Sequence, residues 1–148
     1  MANWIYITTT ENWEITRRTN ILGVAARYEK RLSQVTKGDN CLVYTMGSRG
    51  GGAIVEPRIV AEYEIASTVF VDDKKLFVAA PHQESETFAL RLKLRPVTMF
   101  KKPIEFKPLI AKLSFIKNKD KTWGLHLKGK ALVQISDSDY NTITSSAT

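Results

Sequence analysis

The stretch from Thr87 to Val97 has the sequence TFALRLKLRPV and decides the fold. Apolar residues at 88, 90, 92 and 94 alternate with basic residues at 91, 93 and 95. A period of two is typical of a β-strand with one face on a core and the other in solvent. Proline has no N–H for the sheet, so Pro96 predicts that this strand ends there or lies near an edge.

Other short strands are predicted on both sides of this one. Alternating, β-branched or largely apolar residues predict strands at 3–8, 41–45, 59–65 and 132–135. A turn at 37–40 and a glycine-rich loop at 47–52 punctuate them. No regular long crossover helices separate the strands. The pattern therefore predicts an α+β fold, a small curved β-barrel or open barrel of about five to six strands with peripheral short helices.

Four short helices are predicted between and after the strands. Thr9 or Thr10 caps the first, which runs from Glu11 to Arg18 and is stopped by Asn20. Apolar residues at 24, 28, 32 and 35 have helical spacing and predict a second helix over 24–35. A third is predicted over 106–113. Ser136 followed by Asp139 resembles a capping box that opens the last helix.

Length and composition predict one cytoplasmic domain. The 148 residues suit a single domain over 1–144, with a Ser/Thr-rich frayed tail at 145–148. The single cysteine, Cys41, allows no intrachain disulfide and suits a reducing compartment. No apolar run approaches the ~20 residues of a membrane span, and the amino terminus lacks a basic leader, so we expect no membrane segment.

The charge balance favours a polyanionic partner. The formal net charge is +7, and the nine basic residues of 101–148 are all lysines. Such a surplus is typical of proteins that bind nucleic acid or anionic membrane surfaces. A simply solvated surface can carry the same surplus, so charge alone leaves both interpretations open.

The chain shows no catalytic or metal-binding motif. His82, His126 and Cys41 do not pair at metal-ligand spacing, and Cys41 lies in an apolar strand where a thiol is usually inert. The glycine-rich loop lacks the phosphate-loop signatures, although its Arg49 is a candidate phosphate contact. We therefore predict no catalytic residue, metal or cofactor.

Aromatic residues on a basic chain indicate one way to hold a nucleotide. Aromatic rings stack single-stranded or flipped bases while basic side chains hold the backbone. Trp13 and Trp123 have polar flanks and are as compatible with a cleft edge as with a core. Trp4 and Tyr63 are better explained as core residues.

Several short motifs follow one another along nearly the whole chain. They are Asn12-Trp13, Leu22-Gly23-Val24, Gly38-Asp39, Tyr44, 59–64, Val71-Asp72, 91–93, 106–109, Trp123-Gly124 and Asp139-Tyr140, with the opening Trp4 strand. In this order and spacing they resemble the EVE domain family of the PUA-like group, which is related to the YTH domains that read methylated adenine. The resemblance implies a curved β-barrel and a pocket for a modified base flipped out of DNA or RNA.

Carried onto this sequence, the resemblance implies a base pocket bordered by eight residues. These are Thr8, Asn12, Trp13, Leu22, Gly23, Val24, Tyr44 and Trp123. Leu22 stands where the family often has tryptophan. Leucine packs on a base but offers no π-face, so a full aromatic cage is not implied.

Basic residues near this pocket are the expected phosphate contacts. They are Arg17, Arg18, Arg27, Arg49, Lys128 and Lys130. The expected partner is nucleic acid, with no membrane. Two alternatives stay open on the sequence: a nuclease-type enzyme acting on nucleic acid, and a module that binds only other proteins.

Overall fold

The computed structural model describes residues 1–50 and 53–147. Their strands are β1 (Asn3–Thr8), β2 (Ile21–Val24), β3 (Asn40–Thr45), β4 (Ser48–Gly50), β5 (Ala53–Val55), β6 (Arg58–Ile65), β7 (Phe70–Val71), β8 (Leu90–Glu105) and β9 (Leu132–Ile135). Their helices are α1 (Thr10–Thr19), α2 (Glu29–Leu32) and α3 (Asp137–Thr144), with 3₁₀ turns at Ala26–Tyr28, Lys107–Lys112 and Trp123–His126.

The main sheet is a mixed half-barrel with the strand order β2-β8-β6-β3-β1-β9, and β7 pairs with β8. β1 and β3 are parallel, while the other neighbours in this sheet are antiparallel. β4 and β5 form a separate hairpin. The predicted α+β fold is confirmed: a curved, open sheet with six strands along its path and short helices around it.

Both faces of the sheet are buried. What we call the first core lies on one face and includes Trp4, Tyr6, Trp13, Leu22, Val24, Cys41, Tyr63 and Leu92. The second core lies on the other and includes Ile5, Leu42, Tyr44, Phe106, Leu127 and Tyr140. Successive β1 side chains point to opposite faces, so this strand contributes to both cores. The prediction that Trp4 and Tyr63 are core residues is confirmed, at 1% and 0% exposure.

β8 is longer than the sequence pattern predicts. It begins at Leu90, because Phe88 has a left-handed backbone (φ 52°), and continues through Pro96 to Glu105. Pro96 lies opposite Tyr63 at a register shift in the ladder with β6. A proline is tolerated at such an irregularity because no regular ladder bond is lost there. The prediction that Pro96 ends the strand is therefore wrong, whereas its alternative is confirmed: Pro96 lies at an edge, because β2 pairs only with Leu90–Lys93 and leaves β6 as the single neighbour there among the described strands.

The single helix predicted over 24–35 is also wrong. Val24 instead ends β2, which pairs with β8 and buries Leu22 and Val24 in the first core. A 3₁₀ turn at Ala26–Tyr28 and the single turn of α2 follow. Apolar residues do recur at helical spacing, but the first of them, Val24, belongs to β2 and pairs with β8.

Two regions that the sequence predicts to be irregular lie partly outside the described residues. Residues 48–50 of the glycine-rich loop form β4, whereas Gly51 and Gly52 lie outside the described residues. At the carboxyl end α3 extends to Thr144, and Thr148 lies outside the described residues. The frayed tail at 145–148 stays a prediction.

Asp139 ties α3 to the rest of the domain. The Ser136 hydroxyl caps the helix by accepting from the Asp139 N–H at 3.1 Å. The Asp139 carboxylate does not complete a capping box. It accepts from the backbone N–H of Ser114 (2.8 Å) and of Phe115 (3.0 Å) and from the Ser114 hydroxyl (2.8 Å). A buried carboxylate thus joins α3 to the loop at 114–115.

Asp139→Ala is expected to lower the free energy of unfolding by about 2–4 kcal/mol, because the backbone N–H groups of Ser114 and Phe115 lose a buried, charged acceptor. Urea denaturation followed by circular dichroism measures it. Asp73→Ala, an exposed carboxylate, is the control and is expected to change the free energy by less than about 0.5 kcal/mol. An equal loss in both variants would contradict the structural role of Asp139.

Candidate nucleic-acid interface

The helix α1 presents the central residues of the site. Thr9 caps its start by accepting from the Asn12 N–H at 3.1 Å, and Asn20 ends it in a left-handed conformation (φ 58°). Helix geometry then places Asn12 and Trp13 on neighbouring, inward sides of its first turns. Both are buried, at 5% and 8% exposure.

The Asn12 amide forms a two-point hydrogen-bonded pair with the backbone of one residue. Its Nδ2 donates to the Val78 carbonyl at 2.9 Å, and its Oδ1 accepts from the Val78 N–H at 2.7 Å. Val78 itself is 48% exposed. The segment after β7 is therefore fastened to the first turn of α1.

Gly23 leaves room for an aromatic ring beside this pair. A Cβ at Gly23 would come within 2.5 Å of Cε2 and 2.9 Å of Cδ2 of Phe77. The Gly23 carbonyl accepts from the Tyr6 hydroxyl at 3.0 Å, which fixes the position of the Gly23 backbone. Phe77 is 1% exposed, so its ring fills the space that the missing side chain leaves.

Arg91 holds the same segment from inside. It is 2% exposed, and its guanidinium donates to the carbonyls of Phe88, Thr87 and Lys74. Its Nη1 lies 3.3 Å from an Asp72 carboxylate oxygen. A buried cation is stable only when paired and hydrogen-bonded, so the surrounding backbone is committed to this arrangement.

An open groove of about 550 Å³ lies between α1 and the strands β3, β6 and β8. The edge of Trp13 borders it, and this ring packs edge-on against Tyr63 at a centroid distance of 6.2 Å. The other lining residues are Thr10, Glu14, Arg17, Asn20, Thr45, Arg58, Val60, Pro96, Met99, Phe100 and Pro103. Burial raises the pKa of Tyr63 to about 12, so its hydroxyl stays neutral near pH 7.

A second groove, of about 480 Å³, is strongly basic and has Tyr28 in its wall. The Arg27 guanidinium lies 4.8 Å from the Tyr28 ring centroid, and the Tyr28 hydroxyl donates to the Gly129 carbonyl at 2.7 Å. That bond brings 128–130 beside the groove. The other lining residues are Trp4, Lys30, Arg31, Gln34 and Gln134.

The structure divides the eight residues expected in the base pocket between the two faces of the sheet. Thr8, Asn12, Trp13, Leu22, Gly23 and Val24 lie in or beside α1, β2 and the end of β1. Tyr44 and Trp123 are in or against the second core, where both rings pack on Phe106 at 5.0 and 5.7 Å. Tyr44 and Trp123 therefore lie apart from the other six residues expected in the base pocket.

The residues expected to contact phosphate occupy several places. Arg17 is exposed and paired with Glu14 at 2.6 Å, and Arg18 is exposed on the same helix. Arg27 lines the basic groove, and the Tyr28–Gly129 bond places the backbone between Lys128 and Lys130 beside it. The Arg49 side chain lies outside what the structure describes.

Sequence reasoning missed Phe77, Val78 and Arg91. The first two follow the charged run at 72–75, and the triplet Leu76-Phe77-Val78 was the signal that an apolar anchor lies there. Arg91 belongs to the predicted outward-facing basic row, yet it is buried. Alternation alone cannot show that a loop will cover that face.

The described residues hold no cluster of three or more His, Cys, Asp or Glu side chains suited to a metal ion. Burial raises the pKa of the Cys41 thiol to about 12. No helix in 1–50 or 53–147 is long and apolar enough to cross a membrane.

The half-barrel with its peripheral helices places the protein in the PUA-like fold class. The chain belongs to the EVE domain family, whose sequence profile matches residues 2–146. A UPF0310 protein of Pyrococcus abyssi is 39% identical over 145 residues, covering 98% of this chain and 99% of the relative. A UPF0310 protein of Pyrococcus horikoshii is 40% identical, covering 97% of each.

Two solved structures show the same fold at low identity. Human THYN1 protein, in complex with DNA containing 5-methylcytosine, matches with a TM-score of 0.63 and 12% identity, over 98% of this chain and 96% of that one. The Mmi1 YTH domain matches with a TM-score of 0.62 and 9% identity, over 98% and 93%.

Gly23→Ala is expected to destabilise the protein by about 1–3 kcal/mol, because its Cβ overlaps the Phe77 ring. Thermal unfolding followed by circular dichroism measures it. Gly124→Ala is the matched control, since nothing lies within 4 Å of a Cβ there. Equal melting temperatures for Gly23→Ala and the wild type would show that the ring does not rest on Gly23.

Proposed function

We propose that this protein binds nucleic acid and holds a modified, flipped-out base between α1 and β2, without catalysing a reaction. The cationic groove around Tyr28 carries the proposal. Arg27, Lys30 and Arg31 line it, and Lys128 and Lys130 flank Gly129 beside it. Within the described residues none of these five cations has a carboxylate within 4 Å.

Unpaired cations that share one groove favour a polyanion. The four ion pairs of the described chain use other residues, so the charge of this groove is not neutralised internally. Each phosphate that a Lys or Arg neutralises releases counterions, which makes the binding favourable and dependent on salt. Tyr28 adds an aromatic face on which a base can stack.

The base pocket of this proposal uses six of the eight residues that the sequence indicates. Asn12 has a donor and an acceptor that engage Val78, and the Phe77 ring covers the Gly23 backbone, so the pocket requires these two residues to move. Leu22, Val24, Thr8 and Trp13 are the buried residues around them. Tyr44 and Trp123 are left out because they lie at the second core. That THYN1 was crystallised with 5-methylcytosine DNA makes methylated cytosine the first base to test.

Two other functions are tested by the same samples. A nuclease-type enzyme would cleave labelled strands with or without divalent metal, and one point substitution would abolish the cleavage. A module that binds only proteins would carry no nucleic acid through purification and would bind no strand even at low salt.

The test is fluorescence anisotropy with matched single-stranded DNA and RNA oligonucleotides, plain and 5-methylcytosine-containing, at 50 and 200 mM salt. The double variant Arg27→Ala/Lys30→Ala is expected to bind about tenfold more weakly at the lower salt. The slope of log K against log salt should fall by about 0.7 for each lost phosphate contact.

The matched control is Lys112→Ala/Lys117→Ala, which removes the same charge from exposed residues outside the groove. It is expected to lose less than about threefold in affinity, since only the long-range field changes. Equal losses in the two double variants would contradict a specific groove. No binding by the wild type at 50 mM salt would contradict the proposed function.

A further inference from the structure

The segment Asp72–Ala89 folds back over the opening between α1 and β2. Its two ends meet at β8, where the Asp72 N–H donates to the Ala89 carbonyl at 2.8 Å. Arg91 holds the ends from inside, and Asn12 holds the middle at Val78. The rest of the domain therefore holds this segment at two separate places, its ends and Val78.

The Phe77 ring is the part that enters deepest. It lies on the Gly23 backbone, with the Phe88 ring edge-on at 5.9 Å and the Arg91 guanidinium 5.5 Å from its centroid. A flat ring placed between bare backbone and a cation has the surroundings that a stacked nucleobase needs. The chain itself fills this buried place, since Phe77 is 1% exposed.

Val78 supplies the polar half of the same arrangement. Its N–H and C=O engage the acceptor and the donor of the Asn12 amide, at 2.7 and 2.9 Å. Asparagine binds the edge of a base in the same two-point manner when the base has an adjacent donor and acceptor. Asn12 is buried, so a ligand that displaces Val78 must replace both hydrogen bonds, because an unpaired buried amide is costly in free energy.

We propose that Phe77 and Val78 occupy the position of the ligand base, and that a base with an adjacent donor and acceptor on one edge displaces them. The Phe77 ring occupies the place of the stacked base. The Val78 peptide groups form the hydrogen bonds that the edge of the base would form with Asn12. Cytosine and adenine, with a ring nitrogen beside an amino group, have this chemistry. This inference rests on the proposed function and specifies how its pocket opens.

Two residues between Val78 and β8 have an uncommon backbone. Phe88 has φ 52° and His82 has φ 70°, in the left-handed region that non-glycine residues rarely adopt. The Phe88 carbonyl accepts from Arg91 Nε at 3.1 Å, which holds this residue in place. Displacement of Phe77 and Val78 therefore leaves the segment attached to β8 through Arg91.

The first experiment compares affinities for a single strand that carries one 5-methylcytosine. Phe77→Ala removes the internal occupant, so it is expected to bind this strand about tenfold more tightly than the wild type. Leu76→Ala, at the half-buried neighbouring residue, is the matched control and should bind within about twofold of the wild type. Unchanged or weaker binding by Phe77→Ala overturns the inference.

The second experiment follows hydrogen exchange of the Val78 amide in the wild type by nuclear magnetic resonance. The bond to Asn12 should protect this amide in the free protein, and the bound 5-methylcytosine strand should accelerate its exchange about tenfold. Salt-dependent binding that leaves the amide protected overturns this inference and spares the proposed function. If neither the wild type nor Phe77→Ala binds any strand, both fail.

The third experiment tests the chemistry of the edge. The same strand with difluorotoluene at the central position keeps a flat ring but lacks strong hydrogen-bonding groups. The wild type is expected to bind it about tenfold more weakly than the 5-methylcytosine strand, and Asn12→Ala should remove that difference. Equal affinity of the wild type for the two strands overturns the assignment of Asn12 to the base edge.

Discussion

The burial of β1 on both faces is the constraint on which the rest of the structure depends. Trp4 and Tyr6 point into one core and Ile5 into the other, and all three are at most 3% exposed. Little of this strand is therefore open to a ligand. The two open grooves lie at the periphery of this packing, one where α1 faces β6 and β8 and one around Tyr28 beside the β1–β9 edge.

The periphery separates two kinds of chemistry. The groove around Tyr28 concentrates unpaired cations in solvent, which suits a phosphate backbone and gives affinity without sequence information. The region between α1 and β2 is buried, and Phe77 and Val78 cover its one amide and its one glycine backbone. Under the proposed function the groove binds the strand, and this region selects a base when Phe77 and Val78 are displaced.

The elements were predictable where local chemistry decides them. Alternation located β1 and β9, and Thr9 and Asn20 delimited α1, because caps act within one turn. The site was less predictable, because its shape depends on contacts between distant parts of the chain. Arg91 follows the pattern of an exposed residue but is buried by a loop that begins about 20 residues earlier. Trp123 has polar flanks, and the family resemblance implies Tyr44 as a pocket residue, but both rings pack on Phe106.

The most direct measurement is a crystal structure of the wild type with a strand that carries one 5-methylcytosine. The account predicts that the methylated base lies on Gly23, within hydrogen-bonding distance of the Asn12 amide, with Phe77 and Val78 displaced and Arg91 still buried. It also predicts phosphates beside Arg27 and Lys30. A base stacked in the Trp13 groove, with the Asn12–Val78 pair intact, would contradict it.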